Sequence, residues 1–75
     1  MTNEQVRRRI ADNVIRMRVE KGFNNRQKLA DECGVSRQTF NDVENCKLLP
    51  RTETLQRLSE VFNCDISEFF RECQR

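Results

Sequence analysis

The sequence predicts an all-α fold: a compact set of five short helices. Three observations carry that expectation. No stretch shows the polar–apolar alternation of a half-buried strand. Apolar residues recur instead at spacings of three and four in several separate segments, as on a helix with one buried face. Between those segments stand residues that end helices, namely Gly22, Gly34, Pro50 and Asn63.

Each element follows from its local signals. Residues 1–4 precede the first apolar repeat and are expected to fray. From about Gln5 to Glu20, Ile10, Val14 and Met17 recur at spacings of four and three and define the first helix. Gly22 ends it and Phe23 turns into the core. Either Asn24 or Asn25 can cap a second helix, which runs to about Cys33 with Leu29, Ala30 and Cys33 as its apolar stripe. Gly34 supplies the positive φ of a sharp exit, Val35 plugs the angle, and Ser36 caps a third helix running to about Asn45. Phe40 and Val43 bury one side of that helix. After Pro50, Thr52 is expected to cap a fourth helix carrying Leu55, Leu58, Val61 and Phe62 on one side, with Asn63 in a left-handed conformation at its end. Asp65-Ile66-Ser67-Glu68 reads as a capping box opening a final turn or two, from Ile66 to about Glu72. The expected core is Ile10, Val14, Met17, Phe23, Leu29, Ala30, Cys33, Val35, Phe40, Val43, Leu55, Leu58, Val61, Phe62 and Ile66.

Size and composition narrow the function. A chain of 75 residues holds one small domain, expected to be ordered over about residues 6–72, with no room for a second catalytic one. Fourteen basic against twelve acidic residues leave a net charge of only +2, too small to indicate nucleic acid by charge alone. The basic residues are nevertheless clustered: Arg7, Arg8 and Arg9 run together, followed by Arg16, Arg18, Lys21, Arg26 and Lys28. Such a run also serves as an ordinary solvated face. With no histidine and only two glycines, the chain lacks an obvious general base and a phosphate-cradling loop, and nothing marks a cysteine as an activated nucleophile. No enzyme and no cofactor are expected. Cys33, Cys46, Cys64 and Cys73 contain no C-x-x-C pair, so a metal site is not expected either, and Cys33 and Cys64 fall on apolar positions. With no apolar run of membrane-spanning length and no signal-peptide core, a cytoplasmic location without membrane contact is expected.

Leu29 to Lys47, LADECGVSRQTFNDVENCK, is the stretch that carries most information about function. Helix, Gly34 turn and second helix stand in the order of a helix-turn-helix, with Arg37, Gln38 and Asn41 on the outward face of the second helix. The segment resembles the helix-turn-helix of the phage-repressor/Cro-type (XRE-type) family, whose usual pattern is LA-x-x-x-GVS-x-x-x-(I/F)-x-x-(I/V/L)-EN-G-K. Every position matches except the glycine, where Cys46 stands. The resemblance extends from about Ile10 to Phe70: Arg18 with Lys21-Gly22-Phe23 is similar to the end of the family's first helix. Pro50, Thr54-Leu55, Leu58 and Ile66-x-x-Phe69-Phe70 are similar to its fourth and fifth helices. It implies a lambda-repressor-like DNA-binding domain.

In that geometry the start of the third helix points into the major groove of double-stranded DNA. Arg37 can pair with guanine O6 and N7 and Gln38 with adenine N6 and N7, with Asn41 as a third base contact one turn on. Ordinary polar residues on a solvated helix would look the same in isolation. Thr39, Asn45 and Lys47 are better placed for phosphates, as is Arg26, which stands where the family usually has a phosphate-binding glutamine. An extra asparagine lengthens the turn before it. Such contacts orient the protein without reading sequence. Asp42 departs from expectation on a DNA-facing surface and is expected to pair with Arg37 or Arg51. Cys46 in place of glycine leaves Asn45 as the residue to take the left-handed conformation. Glu44 is expected to be partly buried, bonded to backbone or to Arg18.

One module reads too few base pairs for useful specificity, so a homodimer reading a palindrome is expected, with recognition helices about 34 Å apart. Ile66, Phe69 and Phe70 form an apolar end suited to a two-fold interface, although Phe69 could equally close the monomer core. Leu48 and Leu49 are a second apolar candidate. The expected role is a transcriptional repressor, with control by its own concentration or by a regulatory protein partner. The alternative is a protein-interaction module such as an antitoxin, with DNA binding secondary. Redox or metal sensing through Cys46 and Cys73 is a weaker third possibility.

Overall fold

The computed structural model describes residues 2–23 and 25–72. Four α-helices and a closing 3-10 helix follow in order: α1 (Asn3–Glu20), α2 (Arg26–Cys33), α3 (Arg37–Glu44), α4 (Thr52–Phe62) and a 3-10 turn over Ile66–Phe70. Among the described residues there is no strand, and no helix is long and apolar enough to cross a membrane.

The start of α1 lies earlier than the apolar repeat suggests. Thr2 Oγ1 accepts from Gln5 N–H at 3.2 Å while Thr2 N–H donates to Gln5 Oε1 at 2.9 Å, a reciprocal capping box that holds residues expected to fray. Asn25 is the cap of α2, accepting from Gln27 N–H, and Ser36 caps α3 by accepting from Thr39 N–H. At α4 the cap position belongs to Arg51, without a side-chain bond, and Thr52 is already helical. The Asp65 carboxylate accepts from Ser67 N–H at 2.9 Å rather than completing a box with Glu68, whose carboxylate pairs with Arg71. That backbone donor holds the Asp65 carboxyl below its ordinary value. The closing segment is therefore a single 3-10 helix ending at Phe70.

All four α-helices end alike. A residue at positive φ is followed by one whose amide donates to the carbonyl five residues back: Phe23 N–H to Arg18, Val35 to Ala30, Lys47 to Asp42 and Cys64 to Ser59. The left-handed residues are Gly22, Gly34, Cys46 and Asn63. Cys46, at φ 62°, occupies the position expected of Asn45, which stays at φ −93°. Asn45 sits one residue before the turn point, so the 3.6-residue period leaves the reversal to the next residue.

The core joins Ile10, Val14 and Met17 of α1 to Leu29, Ala30 and Cys33 of α2, Phe40 and Val43 of α3, and Leu55, Leu58 and Phe62 of α4. Phe62 stacks edge-on against Phe23 and tilted against Phe69, each with ring centroids 6.3 Å apart. Phe23, Val35, Val61 and Ile66, expected inside, are half-buried at its margin. Ala11 and Asn13 are buried without having been expected there, and of the two places open to Phe69 the structure takes the core. Asn13 explains part of the difference. Fully buried on α1, its Nδ2 donates to Phe69 O at 2.8 Å and to Arg71 O at 2.7 Å, drawing the 3-10 turn onto α1 and Phe69 into the core.

Candidate nucleic-acid interface

Helix α3 is anchored from below and open above. Phe40 and Val43, three apart, are 1% and 2% exposed and fix its rotation. Gly34 at φ 70° makes the turn that sets α3 across the end of α2, and Ser36 Oγ also donates to Thr39 Oγ1 at 2.8 Å. The same rotation turns Arg37 and Gln38 to solvent and leaves Thr39, Asn41 and Asp42 half-buried. The Arg37 side chain makes no hydrogen bond or ion pair with another described residue.

Glu44 completes the inward face one residue after Val43. Its carboxylate is fully buried between two arginines: Arg18 Nε donates to Oε2 at 2.9 Å, and Arg26 Nε lies 2.9 Å from Oε1. The Arg26 approach has the distance of an ion pair without the angle of a hydrogen bond, so Oε1 is held by charge alone. Arg18 also donates to Phe23 O, locking the end of α1 to the same cluster. Arg26, with its side chain 43% exposed, reaches onward through Nη1 to Asn41 Oδ1 at 3.3 Å. Two of the residues expected to face DNA are thus tied to the buried carboxylate, Arg26 directly and Asn41 through Arg26.

Asp42 bonds neither Arg37 nor Arg51. Its Oδ1 accepts from Gln38 Nε2 at 3.1 Å, one helical turn back. The geometric reason is the i,i+4 spacing, which puts Gln38 alone of these partners directly beneath it. Asn45 and Lys47 are exposed beyond the end of α3, where Arg7 Nε donates to Cys46 O at 3.2 Å and ties the loop to α1. Beside α3 an open depression of about 340 Å³ is lined by Thr39, Leu48, Leu49, Pro50, Arg51 and Thr54.

Of the residues expected at an interface between copies, Phe69 is 0% exposed inside its own chain, Ile66 is half-buried and Phe70 is 38% exposed. Leu48 and Leu49 are 39% and 43% exposed. Among the described residues no group of three or more His, Cys, Asp or Glu could hold a metal ion. Burial pushes the Cys33 thiol up to about 11, with Glu32 adding to the shift, and raises that of Cys64 as well. Cys73 lies outside the described residues.

Helix, left-handed glycine, capped second helix and a buried Phe40–Val43 seam form one continuous unit. A family model described as helix-turn-helix matches residues 14–69. The chain belongs to the XRE-type helix-turn-helix family. No curated protein and no solved structure matches it significantly. As a member of that family, this helix-turn-helix protein is a DNA-binding transcription regulator. The match begins at Val14 and takes in α2, α3, α4 and the closing turn through Phe69. It therefore includes the buried Glu44 and both of its arginines. Sequence spacing already held the signal for Glu44, since it follows Phe40 by four on the buried face. The link from Arg26 to Glu44 and Asn41 had no such signal, because it joins different helices.

Proposed function

We propose that this protein is a homodimeric repressor that reads a palindromic operator through α3 and acts in the cytoplasm by occluding a promoter. The observation that carries the reading is the exposed, unpaired Arg37 at the start of a helix whose other side is fixed in the core. Arg37 is free to present its donor fork to guanine O6 and N7. Gln38 and Asn41 lie beside it and contact the neighbouring base edges. Arg26, Thr39, Asn45 and Lys47 surround that face and take phosphates, fixing register on the duplex. Phe70, with the exposed edge of Ile66, forms the contact between copies, and Phe69 supports it from within the core.

Selection of bound sequences from a random duplex pool, with wild type and Arg37→Ala in parallel, tests the reading. An enriched palindrome is expected, with one base preference relaxed in the variant by about 1–3 kcal/mol. Failure to enrich, or enrichment indifferent to Arg37, would move the function to binding a regulatory protein, as in an antitoxin.

A further inference from the structure

Gln38 and Asn41 each have one end of the amide held by a neighbour of a single hydrogen-bonding sense. The Asp42 carboxylate only accepts, so the Gln38 amide must turn Nε2 toward it, at 3.1 Å, leaving Oε1 outward. The Arg26 guanidinium only donates, so Asn41 must turn Oδ1 toward Nη1, at 3.3 Å, leaving Nδ2 outward. An amide's two ends have nearly the same shape and their order is ordinarily ambiguous. Here the chemistry of each partner decides it.

Neither neighbour is an isolated surface group. Asp42 is half-buried on the turn after Gln38. Arg26 is held by Glu44 Oε1 at 2.9 Å, and the other oxygen of that buried carboxylate is held by Arg18. The series Arg18–Glu44–Arg26–Asn41 thus runs from the interior to the outer face of α3.

We infer that Asp42 and Arg26 are positioning residues that set the hydrogen-bonding polarity of α3, so that Gln38 offers DNA an acceptor and Asn41 offers it a donor. The inference rests on the base-reading role proposed above and sharpens its specificity. An acceptor at Gln38 selects a base with a major-groove amino group, adenine or cytosine, over guanine and thymine. A donor at Asn41 favours guanine or thymine and rejects cytosine, whose major-groove edge only donates. Asp42 takes one of the two Nε2 hydrogens, so the two-bond contact of Gln38 with adenine expected from sequence stays open through the other, beside the outward Oε1.

Sequence selection with wild type, Gln38→Ala, Asp42→Asn, Asp42→Glu and Arg37→Ala tests it. Gln38→Ala locates the base that Gln38 reads. Wild type is expected to favour adenine or cytosine there by about tenfold. Asp42→Glu, still acceptor-only, keeps the preference. Asp42→Asn, which can donate or accept, lowers it below about threefold while the base read by Arg37 stays unchanged. Arg26→Gln likewise relaxes the exclusion of cytosine at the position sensitive to Asn41→Ala. The inference is overturned by a guanine or thymine preference at the Gln38 position, by no position responding to Gln38→Ala, or by Asp42→Asn leaving the preference intact. In each of those cases an Arg37-dependent motif would still stand. Loss of any motif in wild type would instead overturn the DNA-reading role itself.

Discussion

Glu44 is the residue on which most of the interior's charge depends. Its carboxylate is fully buried, and Arg18 beside it has a side chain only 11% exposed. Removing one partner of a buried pair leaves the other charged and desolvated, a larger loss than the pair's net contribution. Glu44→Ala should therefore cost about 3 kcal/mol or more. Thermal melts should show it, since each kcal/mol moves the midpoint of a domain this size by about 4–8 °C. Cys33 makes a second prediction at this scale. Its thiol keeps its proton to about 11, against an ordinary value of 9.0, because the site is buried. The unfolded chain ionises first, so the folded state binds more protons over that range and stability should fall as pH rises from about 9 toward 11. A Cys33→Ala variant should lose that component of the slope in denaturant titrations run across the window.

Helix ends dominate at the scale of elements. Four helices stop by the same left-handed device, and two of the stops lack glycine. Asn63 tolerates positive φ because its short polar side chain can bond locally, whereas Cys46 has no such compensation. Cys46→Gly should raise stability by about 1 kcal/mol, since the Arg7 bond to its carbonyl needs no side chain. Gly34→Ala should lower it by about 1–2 kcal/mol from the same backbone term. The added Cβ would also meet Arg57 Nη1 at 2.9 Å, but that flexible side chain can move aside. Paired chemical-denaturation curves, read at constant m, would check both signs.

Across the whole molecule, the closing turn separates folding from association. Phe69 packs on Phe62 and is sealed from solvent, so Phe69→Ala should cost about 3–5 kcal/mol. Phe70 is exposed, and Phe70→Glu should leave the melt nearly unchanged while abolishing self-association. Sedimentation across a range of concentrations would read the difference. An unaltered dimer in Phe70→Glu would remove the proposed contact and direct attention to Leu48 and Leu49. The Phe69 division of labour depends on Asn13, whose two bonds to the last turn decide which of the adjacent phenylalanines faces inward.

The order of helices, the Gly34 turn, the Ser36 cap, an asparagine cap for α2 at one of two adjacent positions, and the inward Phe40–Val43 seam were all legible in the amino-acid sequence. Each rests on local rules: helical period, backbone freedom at glycine, and a side-chain acceptor one turn from a free amide. The outward turn of Arg37 and Gln38 followed from the same period, whereas Asn41 on that face is half-buried and bonded to Arg26. What the sequence left open are the matters settled between helices. A buried asparagine on α1 selected Phe69 for the core, and backbone reversal fell on Cys46 rather than Asn45. Arg26 turned to Glu44 and Asn41 because folding brings α2 across α3, and a long flexible cation takes the nearest buried anion. Local chemistry determined which faces exist. Only tertiary packing decided which partners those faces hold, because partner choice depends on distances between segments that the chain's own periodicity does not encode.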